Sequence, residues 1–204
     1  MTSTYRVGLD IGGTLLSRKS GGRGPAVLIV ETRKQVPERA LDLANQGNTV
    51  LVLVPRGLPA EDSNHFSGDW LPNVRAWLIG RNLPAMRAHD ILNGILILAA
   101  RDDVDPAQIR AEASGVAGVW LLMAAALEPR ISAVALSRTP YSLREAFTNP
   151  LTRNLHSAVI PGFALHWDLA DLVSADRVSW TDPVDWLRHV VHVTGKYKYT
   201  PSPE

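Results

Sequence analysis

The chain has 204 residues, 46% hydrophobic and 20% charged, a composition ordinary for a globular protein and sufficient for one sizeable core. Its 21 Lys and Arg against 20 Asp and Glu leave a formal net charge of +1, so no global field draws in phosphate backbones, and nucleic acid is not an expected partner. The absence of Cys excludes disulfides, thiol catalysis and thiolate metal sites, and it leaves the cellular compartment open.

No basic stretch followed by an apolar core opens the chain, so no signal peptide is expected. The longest apolar run, residues 116–127, falls well short of the roughly twenty residues that span a bilayer, so it reads as a buried helix and no membrane partner is expected. The expectation is one domain over residues 1–204, with residues 1–24 as an edge hairpin and turn.

In chain order, residues 5–16 alternate apolar positions with Gly8, Gly12 and Gly13, which suits an opening hairpin or edge strand, and the Gly-rich residues 20–25 form a turn. Residues 26–30 (AVLIV) are continuously apolar, the pattern of a strand covered on both faces in a parallel sheet, and residues 49–54 (TVLVLV) read as a second buried strand. Between them residues 41–45 belong to a crossover helix closed by Gly47, and residues 55–69 read as a loop at a strand's end. Residues 75–100 carry apolar positions at helical spacing interrupted near Pro84, which predicts two helices, the second long. Residues 109–113 form a short strand at a strand-to-helix junction marked by Gly115 and Gly118, followed by the apolar helix. Residues 131–136 are the next strand and residues 141–165 are irregular. Residues 177–181 (RVSWT) predict a strand leading into a helix over 183–193, and residues 196–200 (KYKYT) a final strand. Buried strands alternating with helices predict a three-layer, doubly wound, mostly parallel α/β sheet.

Several strings in this order resemble the α/β-hydrolase superfamily, particularly its acetyl-xylan-esterase-like and dienelactone-hydrolase-like branch. They are the strand GPAVLIV, the helix MRAHDILNGILIL, DDVDPAQI ahead of the expected nucleophile turn, GVWLLMAAALEPRI after it, then PGFALHWDLADL and SWTDPVD, together covering roughly residues 25–185. The resemblance implies a serine on a sharp strand-to-helix turn in a G-x-S-x-G pattern, with small flanking residues because backbone and helix come close there. Residues 109–118 read IRAEASGVAG. In the register that keeps Gly118 and the following helix in place, Ala113 and Ala117 take the flanking positions and Gly115 takes the nucleophile's. Ser114 lies one residue earlier. A shifted register would make Ser114 the nucleophile, at the cost of placing Glu112 and Val116 in the two cramped positions.

By the same resemblance the acid follows the penultimate strand, where Asp182 and Asp185 stand, and a histidine follows the last strand. Asp182 before Pro183 also reads as a helix N-cap with proline at the first helical position, which makes Asp185 the better acid candidate. Residues 200–204 (TPSPE) carry no histidine. His189 and His192 fall on the helix expected over 183–193, where a spacing of three puts them on one face. That spacing also permits metal binding, but no third ligand accompanies them and no metal or other cofactor is expected. Val116 and Thr32 are the expected backbone donors to an oxyanion. Thr32, Arg33 and Lys34 occupy the loop where related enzymes often carry His-Gly.

Other residues take structural readings. Residues 8–14 (GLDIGGT) resemble the phosphate-binding start of sugar kinases of the actin-like ATPase superfamily, but the second phosphate loop and adenosine motif are missing, so a glycine-rich hairpin is read. Arg87, His89 and Asp90 lie on the long helix ahead of the expected turn, and the resemblance to the hydrolases implies that an Arg and an Asp here tie the helix to neighbouring loops by an ion pair. His166 and Asp168 stand at a candidate pocket rim or pack down as a short helical turn. Trp70, Trp77, Trp120, Trp180 and Trp186 read mostly as core. Two functions compete: a weak carboxylic-ester hydrolase, acting by serine or activated water on a small-molecule ester or acylated carbohydrate, and a catalytically inactive binding or assembly domain, as a homo-oligomer or part of a longer chain.

Overall fold

The computed structural model describes residues 2–7, 11–17, 22–58, 69–148, 152, 155–195 and 198–201. Its main sheet begins with an antiparallel hairpin, β1 (Thr2–Val7) and β2 (Ile11–Leu16). Then come β3 (Gly24–Val30), helix α1 (Glu38–Asn45), β4 (Thr49–Val54), α2 (Trp70–Leu78), α3 (Leu83–Ala99), β5 (Val104–Ser114), α4 (Val116–Leu127) and β6 (Ile131–Ser137). After the short helices α5 (Leu143–Thr148) and α6 (Phe163–His166) comes β7 (Val178–Thr181), and β8 (Val191–Gly195) and β9 (Lys198–Pro201) close the described chain. The seven-stranded order is β1-β2-β4-β3-β5-β6-β7, with β4, β3, β5, β6 and β7 parallel and β2 antiparallel to β4.

Side-chain alternation sorts the central strands between two helical layers. Ala26, Leu28, Val30, Leu51 and Leu53 face the side where Ile91, Ile95 and Leu98 of α3 and Val119, Trp120 and Leu122 of α4 fill the larger core. Val27, Ile29, Val50 and Val52 face the other side, against Ala40 and Leu43 of α1. Both faces are buried, which is why these two strands are unbroken apolar runs. Helix α4 sinks almost whole into the larger core, accounting for a twelve-residue stretch without a charge. No helix among the described residues is long and apolar enough to cross a membrane.

Local signals set most boundaries. Gly47, at φ 89°, ends α1 in the left-handed conformation. Gly80, at φ 71°, follows α2, and the Asn82 side chain accepts from the Ala85 N–H at 2.8 Å to cap α3, with Pro84 in its first turn. The two helices expected over 75–100 are therefore present.

Three segments differ from the sequence expectation. Strand β5 starts at Val104 rather than Ile109, with a register shift against β3 that accommodates Pro106. The region 141–165 contains α5 and a 3-10 turn at Leu155–Ser157. The helix over 183–193 does not form: Val184 donates to Thr139 O at 3.1 Å and accepts from Tyr141 N at 3.1 Å, extending the backbone alongside residues 139–141. Asp185 then takes the N–H groups of Leu187 and His189 onto its carboxylate, and Arg188 turns left-handed at φ 73°. A side chain that captures these donors offers the backbone an alternative to helix, and the β-branched Val191, Val193 and Thr194 continue as strand. Strand β9 forms near the expected final strand, but it pairs with β8 in a separate two-stranded sheet.

Candidate active site

Strands β3 and β5 are neighbours whose connections leave in opposite directions, β3 through α1 to β4 and β5 through α4 to β6. Such a switch point opens a crevice beyond the carboxyl ends of the two strands, where open α/β sheets bind ligands. Glu31 and Thr32 follow β3 at this crevice; Ser114 ends β5, Gly115 turns the chain and Val116 starts α4.

Gly115 adopts φ 59° and ψ −137°, a conformation that strongly favours glycine, and its N–H donates to Ser137 O at 2.9 Å. Among the described residues, no heavy atom beyond its chain neighbours lies within 4 Å of where a Gly115 Cβ would stand. Ala113 and Ala117 on either side are buried. The close approach falls at Gly118, where an added Cβ would lie 2.1 Å from Thr139 Oγ1. Ser114 is exposed, abreast of Ser137 on β6, and precedes the apex by one residue. The Val116 N–H is the first of α4 and has no acceptor within the helix.

The second expected donor has a different setting. The Thr32 N–H is turned to the carboxylate of Glu31, which is half-buried; burial pushes the Glu31 carboxyl above its ordinary value, opposed by that N–H and by the Arg33 guanidinium. Sequence reasoning did not single out Glu31. The available signal was an acid placed directly after a five-residue apolar strand, at the end where ligands bind.

Asp182 follows β7 at φ 46°, exposed, and caps no helix because none forms. Ser114, Ser137 and Thr181 are abreast on β5, β6 and β7, so Asp182 stands two strand spacings, about 10 Å, from the turn. Asp185 is half-buried and holds His189, Oδ2 to Nδ1, at 3.1 Å, while the His189 ring stays mostly exposed. His192 lies in β8 and is exposed, so the two histidines occupy a turn and a strand rather than one helix face. The structure thus pairs Asp185 with His189 and leaves Asp182 and His192 outside that pair. Among the described residues no group of three or more His, Asp or Glu side chains could hold a metal ion.

Ion pairs brace the layer beneath. Arg87, fully buried on α3, pairs with Asp69, donates to Arg56 O at 3.2 Å and lies 4.5 Å from the centroid of the Trp120 ring on α4. Asp90 takes the Arg56 guanidinium and, at 3.0 Å, its backbone N–H. Both fulfil the tethering role expected for this helix, whereas His89 contacts Asn93 on its own helix at 3.3 Å. Of the tryptophans read as core, Trp120 is fully buried, Trp180 and Trp186 are half-buried, and Trp70 and Trp77 are exposed beside His156. His166 and Trp167 line a shallow depression with Ile160, Pro161, Gly162 and Phe163, while Asp168 is buried and accepts from Ser142 Oγ and the Leu143 N–H, each at 2.6 Å. Residues 8–10 of the GLDIGGT motif and residues 59–68 of the expected loop lie outside the described residues.

A parallel sheet with an antiparallel second strand, this order of strands, and a sharp turn from the fifth strand into a buried helix define the α/β-hydrolase fold, and the chain has that fold. No protein-family model matches the sequence, and no curated protein matches it. Among solved structures, a sugar hydrolase from Lactococcus lactis aligns with a TM-score of 0.62 and 12% identity, over 88% of this chain and 68% of that one. Acetyl xylan esterase 1 from Thermoanaerobacterium sp. JW/SL YS485 aligns with a TM-score of 0.54 and 19% identity, over 72% of this chain and 49% of that one. The acetyl xylan esterase from Paenibacillus sp. R4 aligns with a TM-score of 0.54 and 16% identity, over 78% and 59%. The chain therefore spans about half the length of these esterases.

Proposed function

We propose that the chain is a small, slow carboxylic-ester hydrolase that acts without a cofactor on a small-molecule ester or an acylated carbohydrate. The observation that carries this reading is the sharp turn at Gly115, set at the β3/β5 switch point with the Val116 N–H opening α4 beside it. A backbone donor of this kind survives side-chain change, because the turn rather than the residue type aims it. The names of the esterases with similar folds support the substrate class. Ser114 and Asp185 with His189 are the side chains we assign to an acyl-transfer route, and activated water is the other attacking group.

Glycine at the apex favours a second reading, a non-catalytic domain that binds a carbohydrate or acyl ligand or joins an assembly. Hydrolysis of short p-nitrophenyl esters by the wild type and by Ser114→Ala separates the two. Turnover above buffer is expected from the wild type, and no turnover on any ester would leave the binding reading. Turnover unchanged in Ser114→Ala would remove Ser114 from the mechanism. A fluorophosphonate probe is expected to label the folded protein weakly or not at all, since the apex presents hydrogen instead of a hydroxyl; rapid stoichiometric labelling at Ser114 would overturn that expectation.

A further inference from the structure

We propose that Glu31 is the general base of the crevice, taking a proton from the water molecule that attacks an ester carbonyl held at the Val116 N–H. The proposal rests on the ester-hydrolase reading and names the group that performs the chemistry when the apex carries no side chain.

Position is the first support. The register of β3 on β5 pairs Val30 with Ala113, so Glu31 stands abreast of Ser114, one strand spacing of about 4.8 Å away, with the Gly115 apex next along the chain. The main chain of Glu31 is fixed by its N–H, which donates to Leu53 O at 2.9 Å on the opposite side. Glu31 is thus held between two strands at the mouth of the switch-point crevice. Space is the second support. Among the described residues no heavy atom beyond the chain neighbours lies within 4 Å of where a Gly115 Cβ would stand, the place from which a serine side chain would otherwise project.

Chemistry is the third support. A general base works best when its pKa approaches the working pH, and burial moves the Glu31 carboxyl in that direction. Among the described residues the charge that acts on it is Arg33 on the same loop, while Arg39 of α1 and Glu112 of β5 pair with each other at 3.1 Å. Neither Asp185 nor Asp182 matches this placement, because both follow β7, which lies two strands from β5, whereas β3 is its direct neighbour.

The step balances without a co-reactant other than water. The Glu31 carboxylate takes one proton as the water oxygen bonds to the carbonyl carbon, and the carbonyl electron pair moves onto oxygen facing the Val116 N–H. When the carbonyl re-forms, the carbon–oxygen bond to the alcohol breaks and the proton on Glu31 passes to the departing alkoxide. The products are a carboxylic acid and an alcohol, and Glu31 returns to its ionised state.

The test compares the wild type with Glu31→Gln, Glu31→Asp and, as a control for losing one carboxylate, Glu38→Gln on the exposed start of α1. Hydrolysis of p-nitrophenyl acetate is followed from pH 5 to 9, with folding checked by circular dichroism. The wild-type rate is expected to fall on the acid side as Glu31 protonates. Glu31→Gln should lose about a hundredfold or more in kcat and lose that acid limb, while Glu38→Gln keeps both. Glu31→Asp should retain part of the activity with a shifted limb, and it decides the question alone if the Gln variant does not fold. Wild-type turnover with an unchanged rate and pH limb in the folded Glu31 variants would overturn the role of Glu31 and leave the ester-hydrolase reading standing. Absence of turnover in the wild type would overturn both.

Discussion

The close approach of α4 to Thr139 tests the geometry of the turn directly. In Gly118→Ala the new Cβ would stand 2.1 Å from Thr139 Oγ1, 2.6 Å from its Cγ2 and 2.9 Å from its Cβ, where carbon contacts settle near 3.5–4.0 Å. Rotating Thr139 about χ1 does not relieve the clash, because its Cβ is itself too close. Thr139 is fully buried, so either α4 or the segment after β6 must shift. Overpacking of this kind costs about 1–3 kcal/mol, and three contacts this short place the cost at about 3 kcal/mol or above. Replacing glycine by alanine in a helix returns at most about 1 kcal/mol, for a net loss near 2 kcal/mol. In a chain of 204 residues that lowers the melting temperature by about 4–8 °C. Urea unfolding followed by tryptophan fluorescence measures the loss. Thr139→Ala removes two of the three contacting atoms, so Gly118→Ala should cost about 1–2 kcal/mol less in that background. A neutral or stabilising Gly118→Ala in the wild-type background would refute the close approach of α4 to residue 139 and, with it, the sharpness of the turn.

Three further substitutions probe the surroundings. Arg87→Ala removes one half of a buried ion pair and should cost about 3–5 kcal/mol in urea unfolding. Arg39→Ala breaks the exposed pair with Glu112 and should cost less than about 1 kcal/mol. Asp185→Ala releases the N–H groups of Leu187 and His189 together with the His189 ring, for a loss of about 1–2 kcal/mol, and Asp185→Asn, which keeps an acceptor for the backbone, should lose less. Burial and the neighbouring Asp185 charge push the Glu145 carboxyl above its ordinary 4.5, opposed by the Trp186 N–H. In the window above 4.5 the folded state therefore binds more protons than the unfolded one, and stability falls as pH rises through it. The stability of Glu145→Gln relative to wild type should accordingly improve between pH 4 and pH 7; a constant or shrinking difference would contradict the upward shift.

The sequence revealed elements where one physical cause dominated. Strands β3 and β4 were legible because both faces are covered, which demands apolar residues at every position. Strand β5 was only half legible: Ile109, Ala111 and Ala113 face the larger core, while Gln108, Arg110 and Ser114 are exposed. Residues 183–193 misled because Asp-Pro is a good helix start read locally. Their conformation is set instead by pairing with residues 139 and 141, distant in sequence, and by a carboxylate that captures two backbone donors. The pairing of Asp185 with His189 follows from that turn, so a helical reading of the same residues could not supply its geometry. The small residues of ASGVAG carried the turn itself, since close backbone approach leaves few alternatives.

Backbone strain gathers at the same edge of the sheet. Gly115 after β5, Arg138 after β6 and Asp182 after β7 all have positive φ, at 59°, 47° and 46°. Glycine meets this at little cost, but for Arg138 and Asp182 the conformation is unfavourable by about 1 kcal/mol or more, so the surrounding contacts must enforce it. The Arg138 N–H is bound to Thr181 O at 2.9 Å, which locks one strand end to the next. Three successive strand ends therefore leave the sheet through left-handed backbone. Gly115 at the apex is followed directly by Val116, whose N–H as the first of α4 has no acceptor within the helix. On the ester-hydrolase reading proposed above, the chemistry falls to a carboxyl group beside this turn, and Glu31 stands there at the end of the neighbouring strand.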